Sequence, residues 1–183
     1  MNNKKRAALF TVVTIFIMVI IFYFSSQTGA ESELISGGIE SGFESFLSRL
    51  FGTDGRMGAL FGALEYVIRK AAHLFIFFCL GYSASEAVYG YYHKPFGAGG
   101  PQYEKKNAFT NAFRIDARVF VITAAFCFLY AATDELHQLF VEGRSAQFSD
   151  VLIDAAGSSA GAYLSGLINR IKRTSRGLRN RQS

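Results

Sequence analysis

The stretch Asp134-Glu135-Leu136-His137-Gln138-Leu139-Phe140-Val141-Glu142-Gly143-Arg144-Ser145, closing on Asp150 and Asp154, decides how this chain is read. It is a dense polar block between two apolar segments, residues 119–133 before it and 151–168 after it, that read as membrane spans. If residues 119–140 form one continuous helix, Asp134, Glu135, His137 and Gln138 lie below one membrane surface rather than in a loop. Ionisable side chains at such depth cost roughly 2.5–3.5 kcal/mol each at a helix centre, which makes them functional-site candidates that need partners.

Composition supports a membrane setting. Half of the 183 residues are apolar, 19 are Phe, and there are only two Pro and no Trp, which fits long lipid-facing helices better than a loop-rich globule. The net charge of +5 is gathered in short segments between apolar runs instead of along one groove, so nucleic acid is excluded as a partner. Cys79 and Cys127 both sit inside apolar runs, which excludes a disulfide framework and a CxxC metal motif.

Toward the C-terminus, Gly143 is a natural stop for the third span and Ser149 an expected N-cap for the fourth, with Asp150 and Asp154 favoured by the helix dipole in its first turns. Gly157, Gly161 and Ser165 repeat every four residues, a small-residue face that admits a close neighbour. Toward the N-terminus, residues 66–92 read as a second span carrying Arg69, Lys70 and His73 near its start, with Arg69 and His73 on one face. Glu86 stands near its other end, within reach of the interface, so the buried charges are expected to stop at the outer half. Residues 7–24 are eighteen positions without a charge and read as a retained first span, with a cleaved signal peptide as the competing reading. Between these two spans, Ile35, Ile39, Phe43, Phe46, Leu47, Leu50 and Phe51 recur at helical spacing and predict an amphipathic helix.

Charge distribution sets the topology. Lys and Arg number three before the first span, five in the loop 93–118 and six in the tail 169–183, against two in residues 25–65 and one in the 140–149 turn. By the positive-inside rule both termini are cytoplasmic. The expected fold is an all-α integral membrane protein, a four-transmembrane-helix bundle with an extracytoplasmic amphipathic helix between spans one and two. The parts are a basic N-terminus (1–6), a membrane domain (7–168, spans about 7–24, 66–92, 119–140 and 150–168) and a basic tail (169–183). Arg69, Lys70, His73, Arg144 and the carboxylates of Asp134, Glu135, Asp150 and Asp154 then share the external side, where mutual pairing offsets most of their desolvation.

These residues are also familiar as a set. Ser25-Ser26-Gln27 after the first span, Arg69-Lys-Ala-Ala-His73, Asp134-Glu-Leu-His-Gln138 with Phe140, Gly143-Arg144, Asp150 and Asp154-Ala-Ala-Gly157 resemble the VanZ-like family over residues 10–168. The resemblance implies a small bacterial membrane protein and a link to low-level resistance to the glycopeptide teicoplanin. Two positions depart from the family's pattern: many relatives carry Tyr where Phe77 stands, and often Asn where Asp154 stands.

The ligand-binding candidates are Arg69, His73, Asp134, Glu135, His137, Gln138, Arg144, Asp150 and Asp154. Arg69 reads either as an anion clamp or as a salt bridge to Asp134 or Glu135, and Lys70 as an interfacial cation reaching the headgroups. His137 stands one turn after Asp134, which makes an Asp–His pair feasible. Catalytic candidates are His73, Glu135 and His137, with no nucleophile in a recognisable frame, since Ser145 reads as a turn residue. No HExxH or similar spacing supports a metal, and no cofactor is expected. The expected partner is a membrane lipid, a lipid-linked cell-envelope molecule or a glycopeptide antibiotic at the bacterial cytoplasmic membrane. Three functions follow: a binding role at the cell surface, an outer-leaflet hydrolase or transferase acting on such a lipid, or a structural module or small permease. Transport has the least behind it.

Overall fold

The computed structural model describes residues 3–28, 57–92 and 116–179. They form four helices, α1 (Asn3–Ser25), α2 (Met57–Tyr92), α3 (Ala117–Gln138) and α4 (Phe148–Arg179), and no strand occurs among the described residues. Each contains a segment long and apolar enough to cross a membrane: Asn3–Ser25, Lys70–Tyr92, Ala117–Gln138 and Phe148–Lys172. At 1.5 Å of rise per residue these segments measure about 33–38 Å, against a hydrocarbon core of about 30 Å. The expected all-α four-helix architecture therefore forms. The amphipathic helix expected over residues 35–51, and the loop at 93–115, lie outside the described residues.

The helices extend beyond their apolar runs. The basic residues Lys4, Lys5 and Arg6 belong to the first turns of α1, and α4 continues into the basic tail as far as Arg179. Cations at the end of α4 suit its dipole, whereas those at the start of α1 oppose theirs and need a carboxylate nearby. Helix α3 begins at the N-cap Asp116, whose carboxylate accepts hydrogen bonds from the backbone N–H groups of Arg118 and Val119. It ends at Gln138, two residues short of the expected Phe140, and Gly143 with φ 75° turns the chain back toward α4. Ser149 is not the cap expected for α4, because that helix already starts at Phe148. The Ser149 hydroxyl instead lies 3.3 Å from Asp150 Oδ1.

The most extensive contact is between α2 and α4, with α1 packed on α2 and α3 on α4. Small residues make the central contact possible. A Cβ built on Gly157 would overlap the Leu74 carbonyl oxygen, and one on Gly161 would overlap that of Phe78. Gly81 supplies the matching notch on α2, where a Cβ would overlap the Ser158 carbonyl oxygen. In lipid no hydrophobic effect draws helices together, so this backbone-to-backbone approach supplies van der Waals contact that larger residues would forfeit. The apolar core beside it joins Ile21, Phe77, Leu80, Ala84, Cys127, Ala131 and Val151. Single hydrogen bonds tie α1 in: Thr14 Oγ1 to Ser83 Oγ at 3.1 Å, and the Tyr130 hydroxyl donating to the Met18 carbonyl at 2.7 Å.

Candidate functional site

The alternating helix directions gather polar side chains at both ends of the bundle. At one end, Ser25 closes α1 and His73 lies on α2, while Asp134–Gln138 finish α3 and Asp150 and Asp154 open α4. Asp134 and Asp154 are 4% and 3% exposed, so their carboxylates are shielded from water and from lipid alike. One oxygen of Asp134 is well provided for: Oδ2 accepts from the Ser25 hydroxyl at 2.7 Å and from Gln138 Nε2 at 3.4 Å. Gln138 Nε2 also reaches Ser25 Oγ at 3.3 Å, so the three side chains form a closed triangle.

The other oxygen is different. Asp134 Oδ1 and Asp154 Oδ1 are both buried without a hydrogen-bond partner. His73 Nδ1 stands 3.8 Å from Asp154 Oδ1, too long for a hydrogen bond, and the imidazole is 34% exposed. Asp134, Asp154 and His73 lie within electrostatic range of one another. At the margin of the cluster Lys70 forms an ion pair with Asp150, both side chains being partly exposed.

The remaining candidates separate into other duties. Glu135 is buried and accepts a hydrogen bond from the backbone N–H of Gln147, the residue just before α4, so it fixes the start of that helix. His137 does not pair with Asp134; both meet the end of α1, but at different residues. Its Nε2 is 3.2 Å from Ser26 Oγ, and its ring stacks on Phe22 with centroids 4.8 Å apart. Arg144 donates to the Phe24 and Gln27 carbonyl oxygens, each at 3.2 Å, and so helps to satisfy the carbonyls at the end of α1. Arg69 is placed in α2 by its backbone, but its side chain lies outside the described residues. Among the described residues no three His, Cys, Asp or Glu side chains group closely enough to hold a metal ion.

At the opposite end lies a cluster that reading by segments did not anticipate. Glu86, expected to reach the interface, is 0% exposed. Its Oε2 pairs with Arg6, and its Oε1 accepts from Ser165 Oγ at 2.9 Å and Asn169 Nδ2 at 2.6 Å. Arg6 also donates to Asn169 Oδ1 at 3.1 Å, which closes the ring. The close approach that permits this is at Gly90, where a Cβ would overlap Ala7 beside Arg6. Buried charge therefore does not stop at one half of the bundle, which corrects the expectation drawn from Glu86's position. Ser165 and Asn169 are one turn apart on α4, and their shared face was the available signal.

Residues 10–169, most of the chain, match the family model described as VanZ/LLP1. No curated protein and no solved structure matches the chain.

Proposed function

We propose, for a chain that belongs to the VanZ/LLP1 family, that the cluster of His73, Asp134 and Asp154 binds a polar group of a membrane lipid or cell-envelope molecule at the outer leaflet. Through that binding the protein lowers susceptibility to lipophilic glycopeptides such as teicoplanin. One observation carries the reading: two buried carboxylate oxygens, Asp134 Oδ1 and Asp154 Oδ1, lack a hydrogen-bond partner. A buried acceptor left unmade costs about 1–3 kcal/mol, and more when charged, a cost that a ligand able to donate to it would offset. The outward orientation rests on the basic N-terminus and basic tail, which the positive-inside rule assigns to the cytoplasm. The glycopeptide link rests on the family resemblance.

Deleting the gene, and restoring it as wild type or as the Asp134→Asn/Asp154→Asn double variant, tests this through teicoplanin and vancomycin inhibition. The reading predicts that teicoplanin sensitivity rises on deletion and that only the wild type reverses it. Unchanged inhibition by both antibiotics, with the protein detected in the membrane, would refute the resistance role.

A second reading, an outer-leaflet hydrolase or transferase, draws on the partly exposed His73 beside Asp154, an imidazole with a carboxylate at its side. That is the arrangement a general base uses. It requires that His73→Ala change the lipid profile of the cell, and an unchanged profile counts against catalysis.

A further inference from the structure

Charge and hydrogen-bond capacity together narrow the ligand's chemistry. The described residues at this end supply five carboxylates, Asp134, Glu135, Asp150, Asp154 and the exposed Glu142, and among its cations Arg144 is turned to the carbonyls of α1 and Lys70 to Asp150. Deprotonated carboxylate oxygens only accept hydrogen bonds, so Asp134 Oδ1 and Asp154 Oδ1 call for a donor. An anionic group would bring further negative charge against these buried carboxylates. A primary ammonium brings the opposite charge and three N–H donors on one small atom. The pair of Lys70 with Asp150, at the margin of the cluster, is the same chemistry made by the chain itself. His73 is the most exposed member of the cluster and stands 3.8 Å from Asp154 Oδ1, on the side from which a ligand would approach.

We infer that the group bound between Asp134 and Asp154 is a primary ammonium, as carried by an ethanolamine lipid headgroup or by an amine of a cell-envelope peptide. This rests on the proposed binding role of the same cluster and names its ligand class.

The full-length protein, reconstituted in nanodiscs of phosphatidylethanolamine, phosphatidylcholine and phosphatidylglycerol in equal parts, is released and analysed by native mass spectrometry. The wild type should retain the ethanolamine lipid over the choline lipid by about tenfold, a difference of roughly 1.4 kcal/mol, because a trimethylated nitrogen has no donor. That preference should vanish in Asp134→Asn/Asp154→Asn. Asp154→Asn alone, which leaves the Ser25–Asp134–Gln138 triangle intact, provides the same comparison should the double variant not fold. Adding a lysine-containing envelope peptide separates the two sources: its displacement of the lipid in the wild type alone assigns the amine to the peptide. Equal retention of ethanolamine and choline lipids, with no peptide bound, overturns the inference. A phosphatidylglycerol preference lost in the variants overturns the ammonium while keeping the site. Absence of any adduct sensitive to the variants overturns both.

Discussion

The two ends of this bundle bury carboxylates in opposite ways. Around Glu86 both oxygens are engaged by Arg6, Ser165 and Asn169, and Arg6 is bound in turn to Asn169. Around Asp134 and Asp154 one oxygen of each is buried without a hydrogen bond, and the adjacent imidazole is partly exposed. A closed network holds helices, whereas an open one retains the capacity to bind something else. The difference teaches that burial of charge alone does not tell the two ends apart, whereas the inventory of satisfied carboxylate oxygens does.

Substitutions separate these roles. The largest effect falls on what both clusters share, the α2–α4 contact. Gly157→Leu drives a side chain into the Leu74 carbonyl, so the variant should fail to accumulate in the membrane, as immunoblotting of the membrane fraction would register. Next comes the closed end. Glu86→Ala strands the Arg6 guanidinium and the Asn169 amide, and by analogy with other buried pairs costs about 3–5 kcal/mol. Thermal unfolding in detergent should show a large drop, while whatever protein remains folded keeps its ligand. Arg144→Ala removes two charge-assisted bonds to α1, worth at most about 1.5–3 kcal/mol in this partly exposed position. It should loosen the end of α1, seen as faster hydrogen exchange at residues 22–26, with a smaller loss of stability. Smallest in stability is Asp154→Asn, which keeps the shape and removes a poorly compensated charge. It should unfold within about 1 kcal/mol of wild type, yet lose ligand retention.

How far the sequence discloses all this depends on the kind of interaction. The four spans are legible because uncharged runs such as residues 7–24 have one stable solution in lipid. The close α2–α4 face is legible from the spacing of Gly157 and Gly161, although Gly81, with no repeat to mark it, is not. The convergence of His73 and Asp154 follows from topology and hydropathy. The partners of Asp134 do not: Ser25 ends a helix more than a hundred residues earlier, and only three-dimensional register brings its hydroxyl to the carboxylate. The same limit hides the destination of His137, whose spacing from Asp134 suits a pair but whose ring turns to Phe22 and Ser26. Phe77 is instructive too, being fully buried in the core against Tyr130, whose hydroxyl reaches Met18.

The central claim is that the open cluster binds and the closed cluster only holds. The most direct test compares Asp154→Asn with Glu86→Gln in a deletion strain, at matched amounts of membrane protein, by teicoplanin inhibition. The account predicts that Asp154→Asn behaves like the deletion while Glu86→Gln restores wild-type susceptibility. Protection by Asp154→Asn, or its loss in Glu86→Gln at equal abundance, would contradict it.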